Sequence, residues 1–133
     1  MNTKPTNPKD AVAVSKAPLS IIPSAALAFL AWGLQNGADK YGKTNWRASG
    51  VRGSIYLDAA IRHIVAWNEG EEVDPDDRVH NLAGAMASLA IYIDALENGF
   101  LEHDDRPTPL KQPRKVMEKV QKELATLRAR RAK

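Results

Sequence analysis

IRHIVAWNEGEEVDPDDRVHNL, residues 61–82, sets two helical patterns on either side of a break. Gly70 and Asp74-Pro75-Asp76 end helices and close turns, so the chain around them reads as a tight connection. An antiparallel helix pair folds His63 back toward His80. With the turn centred near Val73, each histidine stands about two helical turns from the tip. Between them lie Glu69, Glu71, Glu72, Asp74, Asp76 and Asp77, with no basic residue from Glu69 to Asp77. Carboxylates crowded in this way repel one another, and a divalent cation relieves that repulsion. Mixed nitrogen and oxygen donors suit manganese, magnesium or zinc with open coordination positions. The competing reading is a solvated acidic turn beside a packed histidine.

The flanking chain is helical in both directions. Leu57, Ile61 and Ile64 form one stripe of a helix that starts after Ser54, a favourable N-cap; Tyr56, Ala60, His63 and Trp67 form the adjacent stripe. After Asp76-Asp77, whose carboxylates suit a helix N-terminus, Val79, Leu82, Met86, Leu89, Ile93 and Leu96 recur at spacings of three and four. Ala83, Gly84, Ala85, Ala87 and Ala90 keep the other faces of this helix small, and Asn98-Gly99 ends it. Upstream, a helix opens at Pro23, carries Leu27, Phe29, Leu30 and Leu34, and stops near Asn36-Gly37. Residues 1–22, interrupted by Pro5, Pro8 and Pro18, read as an ordered arm, and 38–53 as a loop with at most one helical turn.

Residues 99–110 read as a linker, and 111–133 as a basic helix with Met117, Val120, Leu124 and Leu127 at coiled-coil-like spacing. No strand-like alternation occurs. The expected fold is all-α: a compact helical domain over 23–98 with an extra amphipathic helix at the C-terminal side. That helix has no evident mate within the domain, so it is expected to join subunits of a homo-oligomer.

Composition narrows the chemistry. At 133 residues with 44% hydrophobic content the chain is an ordinary single domain, and no apolar run reaches the roughly 20 residues of a membrane span. It has no cysteine, which removes disulfides, thiolate metal sites and a cysteine nucleophile together. The net charge of +3 is segregated: residues 1–110 carry 10 Lys/Arg against 14 Asp/Glu, and 111–133 carry 9 against 2. An acidic body argues against nucleic acid lying across the whole protein. Neither a Walker-type phosphate loop nor a serine nucleophile elbow is present.

The second constellation is Lys40-Tyr41-Gly42-Lys43-Thr44-Asn45-Trp46-Arg47. Lysine and arginine hold phosphates, asparagine reads a base edge, and tyrosine or tryptophan stacks on a base. Lys16, in the arm, is a further candidate phosphate ligand. The alternative is a loop pinned by Trp46 with solvated cations around it.

Taken in order, Pro8-Lys9-Asp10, Lys16, Pro18-Leu19-Ser20-Ile21-Ile22-Pro23, Gly37-Ala38-Asp39-Lys40-Tyr41-Gly42, Asn45-Trp46-Arg47, Arg62-His63, Gly70-Glu71, Asp74 and His80 resemble the phage dATP/dGTP diphosphohydrolase N-terminal family over roughly residues 7–98. The resemblance implies a MazG-like or HD-like helical domain in the cytoplasm of a phage-infected host. It also implies metal-dependent cleavage of purine deoxynucleoside triphosphates to monophosphate and pyrophosphate. The chain departs from the MazG metal signature, having no Glu-Glu-x-x-Glu helix paired with a Glu-x-x-Asp helix. The implied metal set is therefore His63, Glu71, Asp74 and His80, with Glu71 or His63 as the catalytic base. Lys16, Lys40 and Arg47 would hold phosphates, and Tyr41, Asn45 and Trp46 the nucleoside. Two other functions fit the residues: a non-catalytic nucleotide sponge, and a helical adaptor using the basic tail.

Overall fold

The computed structural model describes residues 7–132. They fall into two compact units, which divide between His103 and Asp104. In the first, α1 (Pro8–Ala13) is followed by a 3₁₀ turn (Leu19–Ile21), α2 (Ser24–Tyr41), α3 (Trp46–Ser49), β1 (Val51–Arg52), α4 (Gly53–Asn68), α5 (Asn81–Asn98) and β2 (Leu101–His103). The second contains α6 (Lys115–Arg131), on which no residue is buried. The protein is mostly helical, as its periodicity implies.

The departures from the sequence expectation are local and have causes. The arm contains a six-residue helix, because Asn7 caps Lys9 N–H through its side chain and Pro8 takes the first helical position; residues 1–6 lie outside the described chain. α2 runs past Asn36-Gly37 to Tyr41, where Gly42 at φ 94° stops it. Asn36 does not break the helix; its side chain donates to Asp77 Oδ2 at 3.2 Å. The unexpected sheet is small. β1 and β2 pair in parallel, Val51 opposite Leu101 and Arg52 opposite His103. Strands of two and three residues are too short to show any alternation. α6 begins at Lys115, a little later than Lys111 or Pro113.

The α4–α5 hairpin is the body of the first unit, and α2 packs on α5. Close approach rests on small residues. A Cβ on Gly33 would lie 2.4 Å from the Ala83 carbonyl oxygen and 2.8 Å from the Ala87 Cβ. At the other end of the hairpin, a Cβ on Gly53 would lie 2.8 Å from the Tyr92 hydroxyl. The buried apolar side chains among the described residues are Val51, Val79 and five alanines. The interior of α5 is thus its alanine face, while Leu89, Ile93 and Leu96 of its seam are exposed.

Candidate functional site

The turn between α4 and α5 uses two of its carboxylates, Asp74 and Asp77, to hold its own backbone. Gly70, at φ 99°, leads the chain out of α4. Asp74 Oδ1 accepts the Asp76 N–H at 2.8 Å, and Asp77 Oδ1 accepts the Val79 N–H at 3.0 Å. Arg78 takes the left-handed conformation (φ 66°), and an antiparallel bridge joins Val73 to His80. α5 therefore starts at Asn81, three residues later than a helix following Asp76-Asp77 would, because the Asp74 and Asp77 carboxylates close the turn instead of opening the helix.

His80 is the N-cap, its Nδ1 accepting the Leu82 N–H at 3.0 Å. Its buried ring lies 4.8 Å from Phe29, 4.9 Å from Trp67 and 6.3 Å from Trp32, centroid to centroid. The turn thus separates the two histidines that the sequence brackets together. His63 faces the acidic turn, while His80 is turned into an aromatic cluster with one nitrogen already engaged.

Asn81 is the hub of the polar side. Fully buried, it donates through Nδ2 to the Glu71 carbonyl at 2.8 Å and to Glu71 Oε1 at 3.3 Å. Its Oδ1 then faces His63 Nδ1 at 2.9 Å. The amide orientation is set by the two acceptors on Glu71, so Nδ1 of His63 is the nitrogen that donates. His63 Nδ1 also lies 4.0 Å from Asp74 Oδ2. Gly84, one turn into α5, makes room for this ring: a Cβ there would stand 2.8 Å from His63 Nε2. Of the implied metal set, the structure gathers His63, Glu71 and Asp74 around Asn81 and leaves His80 out. Among the described residues, no three histidine or carboxylate side chains are grouped as a ready metal cage.

Lys40 reaches this end of the hairpin, its Nζ 3.7 Å from Asp77 Oδ2. Trp46 and Arg47 do not. Arg47 forms a two-pronged pair with Asp94, Nε to Oδ2 at 3.0 Å and Nη2 to Oδ1 at 2.9 Å, and Trp46 Nε1 donates to the same carboxylate at 2.7 Å. These bonds, Arg47 first and then Trp46, hold the Asp94 carboxyl down to a pKa of about 2. Asp94 stands about 20 Å along α5 from Asn81. The loop that the sequence offers as one nucleotide-binding unit is therefore split, with Lys40 at the acidic end and Trp46-Arg47 pinned near the other. Asn45 is the N-cap of α3 and makes no capping bond through its side chain, Tyr41 ends α2 exposed, and Lys16 follows α1, also exposed.

Sequence reading missed Asn81, Trp32 and Trp67. An amide at the head of an apolar helix is a signal, but it reads equally as an ordinary first-turn residue. The adjacent His103-Asp104 pair is exposed, and Asp104 is taken by Arg106 at 2.7 Å.

The chain matches the family model for dATP/dGTP diphosphohydrolase, N-terminal, over residues 6–106. It belongs to that family. Every residue of the polar hub lies inside the matched segment of this diphosphohydrolase N-terminal domain, and α6 lies outside it. A dATP/dGTP diphosphohydrolase of Salmonella phage PMBT28 is 34% identical over 91 residues, which is 68% of this chain and 30% of that protein. The chain thus spans under a third of the relative's length. No solved structure matches.

Proposed function

We propose that this chain hydrolyses purine deoxynucleoside triphosphates, dATP or dGTP, at the acidic end of the α4–α5 hairpin, releasing monophosphate and pyrophosphate. The observation that carries this reading is that His63 and Glu71 meet on Asn81 and Asp74 lies 4.0 Å from His63. Lys40 sits on Asp77 of the same turn, and an aromatic cluster surrounds the neighbouring His80. A triphosphate needs cations and orienting groups at one end and a stacking surface at the other. Lys40 would take the phosphates. The half-exposed rings of Trp32 and Trp67, flanking His80, offer the base an apolar surface. Tyr41 and Asn45 are retained as nucleoside contacts and Lys16 as a phosphate contact. Arg47 would contact phosphate only by giving up Asp94.

In the reaction, water adds to the α-phosphorus, the bond to the bridging oxygen breaks, and pyrophosphate leaves. Glu71, with one oxygen near Asn81, would take the water's proton. Asn81 would hold His63 in one orientation against the turn. Magnesium or manganese is commonly bound by one or two carboxylates together with the substrate's own phosphates. With Glu71 as the base, Asp74 would fill that role, with His63 alongside, and the ion would neutralise charge on the phosphate oxygens. That division of ligands suits a site without a ready cage. Zinc, whose catalytic sites take three protein ligands, suits it less.

The test is incubation with each of the eight common nucleoside triphosphates and manganese, with products separated by chromatography. Purine deoxynucleotides should be converted fastest, to monophosphate and pyrophosphate. Conversion to diphosphate and inorganic phosphate would move the attack to another phosphorus. A second reading is a sponge that binds a nucleotide without turnover. It prevails if one nucleotide binds tightly without metal and none is hydrolysed.

A further inference from the structure

We propose that the outer face of the α4–α5 hairpin is a homodimer interface, on which a second copy of the chain docks its own hairpin to close a four-helix bundle. Helical geometry, at about 100° per residue, orients the faces of the two helices. On α4, Gly53, Ala60 and His63 face α5, as the Gly53–Tyr92 and His63–Gly84 contacts require. Leu57, Ile61, Ile64 and Val65 lie together about a quarter-turn round from that face. On α5, Ala83 and Ala87 face α2, and Gly84 faces α4. Leu89, Ile93 and Leu96 lie on the side away from α2. Because the helices are antiparallel, the two quarter-turns carry both stripes to the same side of the hairpin.

These seven side chains are between 40% and 58% exposed in the single chain. They leave on the order of 600 Å² of apolar surface per copy, and a stable specific interface takes roughly 800 Å² per partner including its polar rim. The patch has that anatomy. No charged residue falls within the stripes, and Asp58 and Arg62 stand at the outer edge of α4. The interior makes the same demand. The buried apolar side chains among the described residues are valines and alanines, and the hairpin leaves these seven large aliphatic residues uncovered by the rest of its own unit. A flat face two helices wide is covered by another two-helix face, whereas one helix laid in its central groove leaves the outer row open. The occupant is therefore a second hairpin and not the apolar seam of α6.

The experiment is light scattering on the full chain across a concentration series, with Ile64→Glu, Ile93→Glu and the α6 control Leu124→Glu. The dimer predicts twice the chain mass for the parent and the control, and the monomer mass for both hairpin variants with helicity retained. A monomeric parent overturns the proposal. So does a hairpin variant that stays dimeric, or dissociation by the α6 change alone. If the glutamate variants unfold, the absence of native cysteine allows a second readout with Ile64→Cys. Its thiol labelling should be slow at high protein concentration and speed up at least tenfold on dilution; a rate independent of concentration overturns the interface. Neither readout depends on hydrolysis.

Discussion

Asn81 is where structure and chemistry are most tightly joined. Its side chain holds Glu71 and His63 from a fully buried position, so Asn81→Ala strands a carbonyl and an imidazole N–H. The expected cost is about 1–3 kcal/mol, visible as a lower midpoint in urea, together with loss of turnover. An unchanged midpoint would mean the hub does not hold. Gly84→Ala probes the same ring from behind. Alanine is the better helix former by about 1 kcal/mol, so a site free to relax would gain stability. Here the new Cβ meets His63 Nε2, and the ring is pinned from its other side by Asn81. The variant should stay folded, shift the His63 ring resonances and lose most of its hydrolysis. Unperturbed His63 signals would remove that contact from the argument.

Asp94 supplies a residue-scale prediction in pH. Its carboxyl is depressed from 3.8 to about 2 by Arg47 and then Trp46. A carboxyl depressed on folding contributes stability that is fully present above its unfolded value. That contribution fades as pH falls from about 4 toward 2. An NMR titration of the Asp94 carboxyl should give a midpoint near 2. A midpoint near 3.8 would show that Arg47 is free, and would return it to the pool of phosphate ligands.

At the scale of elements, the proposed chemistry belongs to the hairpin and not to α6. The two units separate at Asp104, and the family match ends at residue 106, before α6. A chain ending at Leu110 should keep its per-site activity and the circular dichroism of the remaining helices. Its dimer mass should also persist, in contrast to what the coiled-coil-like seam of α6 implies by itself. A fall to monomer on truncation would assign assembly to α6. The end of α5 shows how far element reading succeeds: Asn98-Gly99 stops the helix, with Gly99 left-handed at φ 80°, for the reason the sequence gives.

For the whole molecule, the proposed dimer implies that a unit whose largest buried apolar residues are valines would take part of its stability from association. Its thermal midpoint should therefore rise with protein concentration. A midpoint constant over a hundredfold range would mean the single chain is self-sufficient.

The short α1 and α3 show no period and were not legible without coordinates. The four long helices and their order were, because a period of three to four residues marks one face of a helix. So was the crowding of acids at one turn, and the family itself, through a run of short motifs in order. Tertiary structure decided what periodicity cannot express. Period alone marks the seam of α5 without saying whether its own chain covers it, and the covering falls to alanines instead. Spacing brackets His63 and His80 equally about the turn. Side-chain bonding then separates them, since His80 caps α5 while His63 turns toward Asn81. Proximity in sequence joins Lys40 to Arg47, and Asp94, about 20 Å along α5 from the hub, pulls Arg47 away. Each of these outcomes depends on a partner more than a dozen residues distant or on the identity of the face that packs, and neither is contained in a local pattern.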